Sequence, residues 1–464
     1  MRLSWHFQLG RIEGQEFAPQ PAPDAVSGYI VISGWHDWFL PRYFCRHLLV
    51  VKNVSLAACY SRLVLRAAVT AAALLLASPV FAEEADVAFQ SCLVTLGERA
   101  LTEGVDRAVV ASVMESTKRL ERVIKLDRSQ PEFTRTFGGY YVPRVTKQRV
   151  EQGRALYAKH RDLLNRLQRE YGVPGHYLLS FWGLETNYGG YFGRISTTDA
   201  LATLACDQRR SDFFSNEFLS ALKIIAAGDI EQGQMRGSWA GAIGNMQFLP
   251  SVFLKYAVDG DGDGLRDLWG SLPDSLASAA NFLRGIGWHR ELRWGREVRL
   301  PDEFDFTLSG RDRGRTLEEW VRLGIIDIEG EALPHLDIEA AVLVPSGHLG
   351  PTFLIYENFE VIMRWNRSEY YAITVGRLAD RIAGGGELTR KAIIDDESIT
   401  TDTVRRLQQE LALLGYYDAG EVDGIFGPAT RRALSRFQNA NDMIADGYPN
   451  TEALQAVRNT AATM

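Results

Sequence analysis

The 464-residue sequence predicts a mainly α-helical protein with one small β-containing insert and a separate, small helical unit at its C-terminus. Three observations carry that reading. Apolar residues recur at helical spacing over most of the chain beyond residue 87. Short β-branched or aromatic runs bounded by Gly and Pro gather within residues 293–356. A triglycine at 384–386, followed by a charged stretch, separates this body from a final helical segment.

Composition narrows the class. A content of 46% hydrophobic and 11% aromatic residues describes a soluble globular protein with room for two or three domains. A net charge of −7 offers no attraction to nucleic acid, and none is expected as a partner. Seventeen Tyr, ten Trp and twenty-two Phe suit a groove that stacks on neutral, ring-shaped ligands, although most aromatic residues in any protein are core.

The elements follow in order. Residues 63–82, LVLRAAVTAAALLLASPVFA, have a basic start, an apolar centre and a V-F-A ending, as a secretory signal cleaved after Ala82 does. The apolar run after Arg66 is too short to span a bilayer comfortably. Residues 1–62 show no period and are expected to be disordered or not translated. The box Leu56-Ala57-Ala58-Cys59 resembles a lipoprotein site, but Lys52 interrupts the apolar run before it, so lipid anchoring is not expected. Export leaves Cys92 and Cys206 in an oxidising compartment, which favours pairing them; two separate buried thiols are the alternative.

Residues 87–125 read as two or three helices, with Phe89, Leu93, Leu96, Val109 and Val113 inside. Residues 144–171 read as one long amphipathic helix with Val150, Leu156, Leu163 and Leu167 on its inner face. Next comes YGVPGHYLLSFWGLETNYGG, where Pro174 suits a first helical turn and Gly189-Gly190 a stop. Glu185 then sits in the last turn, on the side of Leu178, Phe181 and Trp182. The negative end of the helix and apolar surroundings both raise its pKa, which makes Glu185 a candidate proton donor near neutral pH. A surface glutamate at a helix end is the bland alternative.

RISTTDALATLACD reads as a loop, and residues 213–227 and 272–286 as helices. EVRLP, AAVLVPSG and PTFLIY form the small sheet, residues 370–383 return to helix, and residues 384–398 are an interdomain linker. Residues 399–460 hold helices at 403–414 and 429–438, a turn at EVDGIFGP and a third helix opening at DGYPNTEAL. The run Asp259-Gly-Asp261-Gly-Asp263-Gly264 matches the first half of a calcium loop, with Leu265 at the backbone-ligand position and Asp267 at the ninth. Position twelve is Gly270 rather than Glu, and a glycine-rich acidic turn held by side-chain hydrogen bonds is the alternative. No HExxH, phosphate-cradling glycine loop or nucleophile elbow occurs, so no catalytic metal, nucleotide or acyl-enzyme is expected.

Five ordered blocks then carry a family resemblance: YGVPGHYLLSFWGLETNYGG, ISTTDALATL, GSWAGAIGNMQFLPSVFLKYAVDGDGDGLRDLW, SAANFLRGIGW and RWNRSEYYAITVGRLADRI. They resemble the membrane-bound lytic transglycosylase B type of murein transglycosylase. LLGYYDAGEVDGIFGPATRRALSRFQ with ADGYPNTEAL resembles a small helical peptidoglycan-binding domain. The resemblance implies a lysozyme-like helical catalytic domain over residues 83–383 with a small β-containing insert, then a three-helix peptidoglycan-binding domain that recognises stem peptide or glycan. It also implies a monomer in the periplasm, acting on the glycan strands of peptidoglycan.

Carried over by motif, Glu185 is the sole catalytic acid/base, in a G-x-E-T context. Ser238 and Gln247 hold the sugar and its N-acetyl group, and Asn366 is a further polar contact. Tyr140, Trp365 and Tyr371 line the groove. Trp365 replaces a family Tyr, and Phe282 stands where another Tyr is usual, which keeps stacking surface and removes hydroxyls. Some members bind calcium at the acidic loop, with Asp274 as a late carboxylate; catalysis itself is expected to need no cofactor.

Glycoside hydrolases usually pair two carboxylates. None stands beside Glu185 in sequence, although Asp199 or Asp212 is within reach of a suitable fold. A single acid suffices if the sugar attacks itself, and the family reaction closes a 1,6-anhydro ring on N-acetylmuramic acid. A hydrolytic muramidase and a non-catalytic wall-binding protein are the alternatives.

Overall fold

A computed structural model describes residues 85–128, 136–393 and 399–464. The proposed signal peptide and the segment before it lie outside the described residues.

Three helices open the described chain: α1 (residues 85–102), α2 (Arg107–Ser116) and α3 (Glu121–Arg128). Asp106 caps α2 by accepting from Ala108 N and Val109 N. Cys92 on α1 is disulfide-bonded to Cys206, at a sequence separation of 114. The paired alternative is therefore the one observed.

After α4 (Phe137–Tyr141), residues 144–171 form two helices rather than the single one expected: α5 (Lys147–Lys159) and α6 (Arg161–Tyr171). His160 leaves helical geometry at φ −109°, ψ 24° and serves both ends. The break resets the phase, so Leu164 is buried and Leu163 only half-buried.

The central helix is α7 (Gly175–Thr186), with α5, α6, α11 and α14 packed around it. Every residue from Tyr177 to Thr186 is buried, so the helix is enclosed on all sides rather than amphipathic. Its stop comes earlier than the glycines, at Asn187 in the left-handed region.

Two-residue strands β1 (Ile195–Ser196) and β2 (Arg236–Gly237) pair antiparallel. Between them, the stretch expected as a loop contains α8 (Thr197–Ala205). Ser196 caps it by accepting from Asp199 N. The Ser/Thr cluster was a helix start, and ALATLA behind it packs on α9 (Ser211–Ala227). Helices α10 (Pro250–Tyr256) and α11 (Leu272–Gly285) complete this layer.

The insert is a five-stranded antiparallel sheet built from β3 (Gly295–Arg299), β4 (Arg315–Thr316), β5 (Ile326–Asp327), β6 (Glu339–Leu343) and β7 (Phe353–Ile355). Its order is β4-β6-β7-β3-β5. Between β4 and β5 the chain adds α12 (Leu317–Arg322), started by a Thr316–Glu319 capping box. The insert has its own core around Trp320, Val342 and Leu354.

The chain then returns through α13 (Glu357–Trp365) and α14 (Glu369–Ile382). Trp294, just before β3, lies flat against Gly376 of α14, where an added Cβ would stand 2.1 Å from the indole. Only glycine permits that approach, and it ties the insert to the helix that carries Tyr371.

The expected linker does not run free at its start. Arg377 Nη2 donates to Gly386 O at 3.0 Å, and Glu297 accepts from Thr389 N and Arg390 N at 3.0 and 3.3 Å. The final unit is α15 (Thr401–Leu413), α16 (Pro428–Ala440) and α17 (Thr451–Ala461), closed over Leu407, Leu434, Phe437 and Val457. It docks on the insert: buried Asp446 accepts from His348 N at 2.9 Å and meets His348 Nδ1 at 2.7 Å.

Candidate active site

Glu185 occupies the last turn of α7 and is only 6% exposed. Its Oε1 accepts from Tyr371 Oη at 2.5 Å and from Trp365 Nε1 at 3.0 Å. Burial pushes its pKa up to about 7, against these two hydrogen bonds, which pull it down. The same burial, with the carboxyl group beside it, holds the Tyr371 phenol well above its ordinary value. Tyr371 therefore stays protonated and donates.

The end of α7 is held in an unusual conformation. Asn187 and Tyr188 are consecutive non-glycine residues with φ of 53° and 57°. Such backbone costs about 1 kcal/mol or more per residue and persists only where surrounding contacts enforce it. Arg149 Nη2 donates to Asn187 Oδ1 at 3.2 Å, and Tyr188 Oη donates to Arg149 O at 2.9 Å. Tyr188 folds back over Gly183, where a Cβ would lie 2.7 Å from its ring, and meets Trp182 edge-on at 5.6 Å.

Trp365, the C-terminal residue of α13, is seated among Phe181 at 4.4 Å, Phe282 at 5.0 Å and Phe248 at 5.4 Å between ring centroids. The indole N–H thus supplies a donor to Glu185 at a position where the resemblance had lost a hydroxyl. Phe282 brings only its ring, stacked toward Tyr256 at 4.8 Å.

The loop from Ser238 to Phe248 lies against α7. Ser238 is buried; it donates its backbone N–H to Ala242 O at 2.8 Å, and its Oγ accepts from Ala242 N at 3.0 Å. Asn245, a residue the sequence reading passed over inside GAIGNMQF, is the tie. Its Oδ1 accepts from Trp182 Nε1 at 2.7 Å, and its carbonyl accepts from Thr186 Oγ1 at 2.9 Å. Its signal was a buried-type Asn between apolar residues, which periodicity alone does not flag.

Gln247 has φ of 49° and donates Nε2 to Phe192 O at 3.1 Å and Gly244 O at 2.9 Å. Its Oε1 is buried and accepts no hydrogen bond within the protein. A fixed amide with a free acceptor suits an N–H on a ligand. Asn366 follows Trp365 directly, is buried, and accepts from Ser368 N through Oδ1 at 3.2 Å.

Tyr140 is buried on α4, with the Arg144 guanidinium 3.8 Å from its ring centroid and Tyr370 at 6.3 Å. It underlies Tyr370 and Tyr371 and presents no open face. Neither candidate second acid reaches Glu185. Asp199 accepts from Lys118 N at 3.0 Å, and Asp212 is exposed in the first turn of α9. Among the described residues, no neighbouring carboxylate contributes to the Glu185 shift.

At the acidic loop, carboxylate oxygens of Asp259, Asp261 and Asp263 all lie within 4.8 Å of one another. Asp259 also accepts from Gly262 N at 2.6 Å and Gly264 N at 2.8 Å. Leu265 is exposed, so its carbonyl belongs to an open loop. Asp274 is fully buried and accepts from Gly260 N and Asp267 N, each at 2.8 Å. It pins the loop ends together and stands outside the three-carboxylate group. Asp267 spends Oδ1 on Trp269 N and Gly270 N, both at 2.8 Å. The acidic loop therefore carries both features expected of it: a convergent oxygen set and a turn stapled by side chains.

Comparison with known proteins agrees with this geometry. Residues 88–380 match the transglycosylase SLT domain, and residues 400–457 match a putative peptidoglycan binding domain. The chain is similar to SltB3 from Pseudomonas aeruginosa, solved in complex with NAG-NAM-pentapeptide and with NAG-anhNAM-pentapeptide. In each case identity is 39%, coverage is 80% of this chain and 99% of that one, and the TM-score is 0.77. It is 27% identical to the Escherichia coli lytic transglycosylase Slt35 in complex with calcium, covering 63% of this chain and 92% of that one, with a TM-score of 0.55. It is also 29% identical over 296 residues to membrane-bound lytic murein transglycosylase B of Escherichia coli, covering 60% of this chain and 79% of that protein.

Proposed function

The chain belongs to the transglycosylase SLT-domain family, and on that premise we propose that it is a lytic murein transglycosylase with Glu185 as its single acid/base. The observation that carries the reading is a lone buried carboxyl, with a pKa raised to about 7, whose Oε1 takes both available donors. Because Oε1 accepts from both donors, we assign the proton to Oε2, the oxygen left to donate to the bond to be cut.

The β-1,4 oxygen between N-acetylmuramic acid and N-acetylglucosamine takes that proton as its bond to C1 breaks. The muramoyl acetamido oxygen stabilises the positive charge developing at C1. Carboxylate Glu185, still held by Tyr371 and Trp365, then accepts the proton of the muramoyl 6-hydroxyl as its oxygen bonds to C1. The proton count closes without water, and the product carries a 1,6-anhydro end. The attacking oxygen belongs to the same sugar, so proximity supplies much of the rate.

Gln247 Oε1 takes the acetamido N–H, Asn366 and Ser238 orient the ring and its loop, and Trp365 with Phe282 supplies stacking surface. Residues 83–383 form the catalytic domain, and residues 399–460 hold the enzyme on the wall and raise its local concentration there. The enzyme works in the cell envelope after export. Among the described residues no helix is long and apolar enough to cross a membrane.

Asp259, Asp261 and Asp263 hold a structural calcium ion, for which their hard oxygen set fits. When bound, the ion supplies loop rigidity rather than chemistry.

The test is mass spectrometry of muropeptides released from purified sacculi. Wild type is expected to release ends lighter by one water than hydrolytic products, and Glu185→Gln to release none. Hydrated ends from wild type would convert the reading to a muramidase, and unchanged turbidity with both proteins would leave only wall binding.

A further inference from the structure

Glu217 is a second buried carboxyl group, and it contributes nothing to the raised pKa of Glu185. It lies on α9, a 17-residue helix packed on α8 and α10. Its Oε2 accepts from Ser251 N at 2.9 Å and its Oε1 from Ser251 Oγ at 2.7 Å. Among the described residues it pairs with no cation, and burial raises its pKa against those two donors. Burying a carboxyl group without a cation is costly, and replacing both partners by apolar groups of the same shape would lose little stability. What the Glu217–Ser251 pair supplies instead is a fixed position.

The segment before Ser251 depends on such a fixed point. Gln247 stands four residues earlier, at φ 49°, and the chain between them has little freedom. Phe248 exchanges both backbone hydrogen bonds with Ile243, at 3.0 and 2.8 Å. Leu249 is extended and its carbonyl accepts from Phe253 N at 2.9 Å, while Pro250 is buried in the first turn of α10 with its φ set by the ring. Ser251 is thus one end of a stiff segment whose other end is Gln247. On the way the Phe248 ring meets Phe282 and Trp365, each at 5.4 Å between centroids. Asn245 ties the loop to α7 and Glu217 ties its exit to α9, so the two anchors flank Gln247.

We propose that Glu217 is a positioning residue for the cleavage reaction: through Ser251 it holds Gln247 so that the free Oε1 meets the acetamido N–H of the muramoyl residue. The inference rests on the function proposed above, and its test separates the two.

The test is a double-mutant cycle on kcat/KM with purified glycan strands. Ser251→Ala removes the hydroxyl donor, keeps the backbone one and places a good helix former in α10, so the fold should survive. It should lower kcat/KM about tenfold in the wild-type background and by less than about twofold in a Gln247→Ala background. Glu217→Ala should follow the same pattern with a larger loss, and Ser251→Thr, which keeps the hydroxyl, should retain the wild-type rate. A role in stability alone would lower the rate by the same factor in both backgrounds. That result, or no loss in either background, would overturn the proposal.

Calorimetry with the 1,6-anhydro disaccharide, on the full chain, reads the same cycle without turnover. Wild type should bind it about tenfold more tightly than Ser251→Ala, and Gln247→Ala should bind it as weakly as the Gln247→Ala, Ser251→Ala double variant. No binding to wild type, or equal weakening by Ser251→Ala in both backgrounds, would also overturn it. Hydrated instead of anhydro ends would sink the functional reading alone, because a muramidase holding the same acetamido group gives the same cycle.

Discussion

Replacing Tyr371 with Phe removes one hydrogen bond from the Glu185 carboxylate and leaves the ring in place. The hydroxyl donates to Oε1 at 2.5 Å in a buried site, and it lowers a pKa that burial has raised to about 7. A hydrogen bond to a charged acceptor contributes about 1.5–3 kcal/mol, and a pKa unit corresponds to about 1.36 kcal/mol. Loss of the donor should therefore raise the Glu185 pKa by about one to two units. Glu185 must enter the reaction protonated, so its titration sets the alkaline limb of kcat/KM. That limb should stand near pH 7 in wild type and move upward in Tyr371→Phe. Trp365→Phe, losing a longer bond at 3.0 Å, should move it in the same direction by less. The assay is release of anhydro-muropeptides from sacculi across pH 4–10. An alkaline limb that stays in place or moves down in Tyr371→Phe would refute the assignment of Glu185 as the acid held by that hydroxyl.

The same pKa bears on stability. A carboxyl raised from 4.5 to about 7 in the folded chain contributes stability that is complete below pH 4.5 and lost as pH rises through 7. Glu185→Gln should therefore raise the melting temperature more at pH 8 than at pH 4, with a difference in stability on the order of 3 kcal/mol. Reduction of the Cys92–Cys206 bridge reopens a long loop in the unfolded chain, for which the loop-entropy estimate is about 4.7 kcal/mol, and should lower the melting temperature by roughly 5 °C. Millimolar calcium should raise the melting temperature of wild type but not of Asp261→Asn, Asp263→Asn, and should leave turnover at saturating substrate unchanged. An equal response of that double variant would remove the three-carboxylate site.

Periodicity disclosed most helices because each buries one stripe, and it placed Glu185 in the last turn of its helix. It misjudged the elements whose fate depends on neighbours. The break at His160 moved burial from Leu163 to Leu164, and the Ser/Thr run before ALATLA looked like a loop until its apolar side met α9. Family motifs marked Ser238, Gln247, Asn366 and Trp365 without saying how they meet. Asn245, which ties their loop to α7, lies inside a quoted motif but carries no signal that periodicity detects.

The sequence by itself determined an α-rich chain, an acidic loop and one carboxyl among apolar residues, and it offered two cysteines for pairing, because these are local or compositional properties. Tertiary structure alone decided that both donors fall on one oxygen of Glu185, that Asp199 and Asp212 stand away from it, and that Asp274 serves the loop's backbone. Glu185 and Tyr371 are 186 residues apart in the chain, and only the packing of α14 on α7 brings the phenol to the carboxyl. Desolvation, the cause of the raised pKa, is likewise a property of everything packed around a residue and is written in no single stretch of chain.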